Sequence, residues 1–76
     1  MSIAGRYFDS LELIEDQFDR ICNRDDVPLS VRQKGRDLWK SYCLERSNLM
    51  KIDDTSYARR MIERYDKRLM DLYSEF

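Results

Sequence analysis

Two sets of basic side chains recur at four-residue spacing. Arg32, Arg36 and Lys40 form one, and Arg60, Arg64 and Arg68 form the other. On a helix, residues four apart stand one above another, so each set makes a stripe. Guanidinium groups pair with phosphate or carboxylate through forked N–H donors. Phosphate, a nucleotide, nucleic acid or an acidic protein is therefore the ligand chemistry these stripes fit, with Trp39 and Tyr42 beside the first. The plainer reading is that acids on neighbouring helices neutralise both stripes within the fold. A pI near 5.4 also speaks against a general nucleic-acid binder, whose footprint is strongly basic.

The acids offer less. Asp9, Glu12, Glu15, Asp16 and Asp19 line one helix side, which would dock on a basic partner or imitate a phosphate backbone. Such a run is more often a solvated face. In Glu15-Asp16 the two carboxylates project in different directions on a helix, and Asp25-Asp26 lies in a turn. General acid–base work needs a carboxyl in a perturbed environment. The chain has no His, no Gly-rich phosphate loop and no nucleophile-elbow pattern, so the reading is a non-enzyme. Two separated cysteines without His give no zinc spacing, and neither metal nor cofactor is expected. Cys22 and Cys43 both sit at apolar helical positions, which predicts buried free thiols in a reducing compartment. A disulfide between neighbouring helices is the alternative. No apolar run approaches the ~20 residues that cross a membrane. No basic segment followed by an apolar one opens the chain, so a cytoplasmic location is expected.

The elements that position these groups read as helices. With 42% hydrophobic residues, 38% charged, one Pro and two Gly, the chain is too apolar for disorder and too poor in turn residues for a sheet. Tyr7, Leu11, Ile14, Phe18 and Ile21 recur at spacings of four, three, four and three, the seam of a first helix over about 3–23, starting at Ile3 or at Tyr7, with Ser2 as a candidate cap. Arg24 to Leu29, with Pro28, is a turn. A second helix over about 30–51 carries Val31, Leu38, Trp39, Tyr42, Cys43, Leu49 and Met50 on one broad arc. Ser30 and Gln33 have the form of a capping box. Gly35 lies on that arc. A mid-helix Gly costs roughly 1 kcal/mol relative to Ala, so it marks a close helix approach or a start near Arg36 more readily than a kink. Asp53 or Asp54 caps a third helix over about 54–75, whose apolar face is Ala58, Met61, Ile62, Tyr65, Leu69, Leu72, Tyr73 and Phe76. On its polar side Arg59, Glu63, Lys67 and Asp71 alternate in sign and predict helical ion pairs.

Seventy-six residues make one domain, an all-α compact three-helix bundle. So small a core makes oligomerisation, including a helical homodimer, a reasonable expectation. The formal charge of −1 hides a segregation: residues 1–27 carry −4, residues 28–52 carry +4, and residues 53–76 carry −1. Acidic first helix and basic second helix should lie side by side.

Leu13, Leu44 and Met70 each fall off the main apolar arc of their helix, and Phe8 lies at the edge of its own. If such residues cluster with one another or with Tyr73, they make a partner patch. The reading that follows is a small module that binds another protein, as adaptor or inhibitor, and occludes or bridges its surface. Phe8, Leu13, Leu44 and Met70 would supply an apolar face, and Arg36, Lys40, Arg60, Arg64 and Arg68 a polar one. The alternative is an anion, nucleotide or nucleic-acid module built on the basic stripes.

Overall fold

The computed structural model describes residues 3–76. Helix α1 (Ile3–Arg6) is a single turn, followed by α2 (Phe8–Cys22), α3 (Leu29–Ile52) and α4 (Thr55–Tyr73). The three long helices run down, up and down as a bundle of about 39 × 17 × 15 Å, with no strand among the described residues. The first-helix seam is right: Leu11, Ile14, Phe18 and Ile21 are buried, and Tyr7 packs against them half-buried. They meet Val31, Tyr42 and Leu49 from α3, and Ala58, Met61, Tyr65, Leu69 and Leu72 from α4.

Of the two starts read from the sequence, the long helix takes the one near Tyr7, and Ile3–Arg6 stands apart as α1. The chain bends at Tyr7 (φ −103°, ψ 17°) and resumes with Leu11 N–H donating to Tyr7 C=O at 3.0 Å. Gly5, a weak helix former, stands just before the bend. The bend lets α1 touch α2, α3 and α4 together. The expected cap Ser2 lies outside the described residues.

The Ser30–Gln33 capping box does not form. Pro28 takes the cap position with extended geometry (φ −53°, ψ 143°), so α3 starts at Leu29 and Ser30 is already helical. No side chain caps this end. Arg32 Nε instead donates to Val27 C=O at 3.0 Å and clamps the turn, whose Val27 is buried. At the other end Asp53 adopts the left-handed conformation (φ 53°, ψ 45°) that Asp tolerates better than most residues. Its N–H bonds Leu49 C=O, and α3 stops there. Asp54 then caps α4, accepting from Ser56 N–H at 2.9 Å.

Gly35 permits close approach. A Cβ there would stand 3.0 Å from both Cys22 Sγ and Ile21 Cγ2. α3 passes through it unbroken. Five positions read as apolar-face residues face solvent instead: Trp39, Cys43, Met50, Tyr73 and Phe76. A 24-residue α3 outruns the 15-residue α2 it packs on, so the buried part of its arc narrows to Val31, Gly35, Tyr42 and Leu49. Cys22 and Cys43 are both free, but only Cys22 is buried.

Candidate functional site

The acidic first helix and basic second helix do lie side by side. Cys22 stands beside Gly35, the Phe18 ring meets Trp39 edge-on at 5.2 Å, and Glu15 meets Tyr42. These pairs set one antiparallel register. Phe8, Glu15 and Cys22 follow at seven-residue spacing on the same side of α2, while Trp39, Cys43, Arg46 and Met50 share one side of α3. The register puts Phe8 level with Met50. This α2/α3 face therefore exposes Phe8, Trp39 and Met50 between rows of charge.

Two polar clusters bridge the helices. Tyr42 Oη donates to Glu15 Oε2 at 2.8 Å, and Arg46 Nη1 donates to Glu15 Oε1 at 2.9 Å. Between α3 and α4, Arg64 closes on Glu45 beside Tyr65. Burial, then the adjacent carboxylate, pushes the phenols of Tyr42 and Tyr65 well above their ordinary value. The two rings meet edge-on at 5.4 Å, so the clusters share an aromatic centre with Phe18. Glu15, read from sequence as part of the solvated acidic side, is in fact turned into the α2/α3 seam.

Two clefts flank α3. The first, about 280 Å³ between α2 and α3, is lined by Phe18, Asp19, Cys22, Arg36 and Trp39. Burial raises the Cys22 thiol pKa, opposed by Arg36, so the thiol is held protonated. The second, about 470 Å³ between α3 and α4, holds Lys34, Asp37, Ser41, Arg68 and Asp71. Among the described residues no three His, Cys, Asp or Glu side chains gather as a metal site. No helix there is long and apolar enough to cross a membrane.

The residues of the two partner faces read from sequence are all exposed, on several sides of the bundle. Phe8 belongs to the α2/α3 face. Leu13 lies on another side of α2, and Leu44, 69% exposed, stands on the outer side of α3. Met70 is 69% exposed one turn before Tyr73, whose ring lies 5.7 Å from Phe76. The basic residues divide as well. Arg64 is taken up by Glu45, and Arg60 Nε turns back to Ser56 C=O of its own helix. Arg68 lies in the α3/α4 cleft with Asp37 and Asp71. Arg36 borders the α2/α3 cleft, and Lys40 points outward. The alternating α4 series Arg59, Glu63, Lys67 and Asp71 closes no ion pair. Sequence reasoning missed the pairing of Phe8 with the Trp39 and Met50 side of α3. The seven-residue spacing to Glu15 and Cys22 was its signal.

Comparisons with family models, curated proteins and solved structures give no match to this chain.

Proposed function

We propose that this chain is a protein-binding regulatory module that acts by occluding or bridging a partner surface, as an adaptor or inhibitor. One observation carries the reading. Among the described residues, ten large apolar side chains stand 36–69% exposed on a bundle whose buried apolar core has fourteen. Scattered exposed apolar residues are ordinary. A density that rivals the core is the composition of contact surfaces, where aromatics and Met are enriched. The surface for a partner is the α4 end, where Tyr73 and Phe76 line a cleft with Arg20 and Arg24 and the exposed Met70 stands one turn before Tyr73. The alternative anion-binding reading has less support, because three of the six stripe residues are engaged within the fold: Arg64 by Glu45, Arg32 by Val27 C=O and Arg60 by Ser56 C=O.

The test is native mass spectrometry of tagged protein recovered gently from its own cell, compared with the Met70→Glu/Tyr73→Glu variant. Both side chains are exposed, so the variant should keep its helicity. The wild type should retain a protein that the variant loses. Equal retention would defeat this surface, and a retained small anion would favour the alternative.

A further inference from the structure

The outward faces of α2 and α3 differ from that of α4. Glu12, Asp16 and Asp19 give the α2 side of the α2/α3 face one sign, and Arg36 and Lys40 give the α3 side the other. Among the described residues none of these five closes an ion pair within the chain. Between the two rows stand Phe8, 52% exposed, Trp39, 36%, and Met50, 69%. An apolar strip flanked by two rows of opposite charge is the plan by which paired helices select partner and orientation.

We propose that the α2/α3 face binds a second copy of this chain about a two-fold axis that runs along the bundle, each acidic α2 lying antiparallel on the partner's basic α3. Charge decides between two symmetric packings. With the axis across the helices, α2 would stack on α2 and α3 on α3, acid against acid and base against base. With the axis along them, α2 crosses to α3 twice, and the contact is closed and self-complementary. The register then matches without a shift. The contacts Cys22–Gly35, Phe18–Trp39 and Glu15–Tyr42 put Asp19 level with about Leu38 and Asp16 level with about Ser41. An axis along the helices preserves those levels. The partner's Arg36 therefore falls within one turn of Asp19, the partner's Lys40 within one turn of Asp16, and the partner's Met50 meets Phe8. A standard interface takes about 800 Å² per partner, roughly a seventh of this chain's 5324 Å² surface, which one of three bundle sides supplies. This pairing stands apart from the α4 partner surface and leaves it open.

Light scattering on eluting full-length protein tests it. Wild type should show twice the chain mass at low salt and fall toward one at about 1 M salt, where the screening length is about 3 Å. Arg36→Glu/Lys40→Glu and Asp16→Lys/Asp19→Lys should each run at single-chain mass with unchanged helicity. Mixed in equal amounts, they should recover the double mass as a heterodimer, because each then offers what the other lacks. A chain carrying all four reversals should dimerise again. A single-chain wild type at low salt would overturn the proposal, as would reversal variants that stay paired or a mixture that fails to pair.

Discussion

The α2/α3 and α3/α4 seams use the same three groups, a carboxylate, a guanidinium and a phenol, yet α3 plays opposite parts in them. Toward α2 it supplies Tyr42 and Arg46 to the carboxylate of Glu15. Toward α4 it supplies the carboxylate, Glu45, to Arg64 and Tyr65. Adjacent residues of one helix, Glu45 and Arg46, thus serve the two sides of the core. The packing around them differs more. At the first seam Gly35 admits Cys22 and Ile21 to near contact, and Trp39 stacks on Tyr42 at 5.4 Å. The second opens into the larger cleft, bridged near its end by Lys34 and Glu75. The lesson is that packing, and not the polar clusters, separates a tight seam from a loose one.

The largest effect should come from the tight seam. Phe18 is buried, with ring contacts to Trp39, Tyr42 and Tyr65. Phe18→Ala should cost about 3–5 kcal/mol, against a total of about 4–11 kcal/mol for a domain of this size. Leu72→Ala, beside the α3/α4 cleft, should cost about 2 kcal/mol, the low end for Leu, because the cleft lets its surroundings relax. Urea unfolding followed by circular dichroism measures both. A costlier Leu72 variant would break the contrast.

Gly35→Ala puts the close approach to a second test. The new methyl gains about 1 kcal/mol of helix propensity but meets Cys22 Sγ and Ile21 Cγ2 at 3.0 Å, and overpacking costs about 1–3 kcal/mol. A net loss of about 1 kcal/mol is expected. Cys22→Ala in the same chain should recover part of it, since one of the two crowding atoms is then gone. A stabilised Gly35→Ala would mean that the seam yields freely.

Much of this was legible in the residues, for a physical reason. Leu11, Ile14, Phe18 and Ile21 keep strict helical spacing, and Gly35 on an apolar arc is costly unless a neighbour needs the room. Asp54 capping α4 was legible because caps are local. What failed depended on tertiary length and direction. Met50 and Cys43 fit the apolar arc of α3 but extend past or beside the helix that would cover them. Ser30 had the right partner at the right spacing, yet Pro28 took the cap position two residues earlier. The charge segregation was visible in the sequence, but the inward turn of Glu15 was not, because acids on one helix side look alike until Tyr42 and Arg46 are placed opposite one of them.

The phenols add a pH dependence that the two seams share. Both are raised above their ordinary value near 10, so the folded state holds these protons more tightly than the unfolded chain. Their contribution is complete below about pH 10 and is lost as pH rises beyond it. Thermal melts between pH 9 and about 11.5 should show stability falling, and the fall should be shallower in Tyr42→Phe and in Tyr65→Phe. An unchanged slope in both variants would assign the loss to the thiols of Cys22 and Cys43, which burial also raises.

The ion pairs should matter least. Arg46–Glu15 and Arg64–Glu45 are partly exposed at one or both partners, and such pairs contribute about 0–1 kcal/mol each. Double-mutant cycles on Arg46/Glu15 and Arg64/Glu45 should therefore return similar small couplings, despite the unequal packing around them. Removing Glu15 alone should cost more than removing Arg46 alone, because it also strands the buried Tyr42 hydroxyl, whose nearest other acceptor, Leu11 C=O, is 3.4 Å away. If instead the coupling at Glu15 far exceeded that at Glu45, the tightness of the α2/α3 seam would owe something to its charges as well as to Gly35 and its rings.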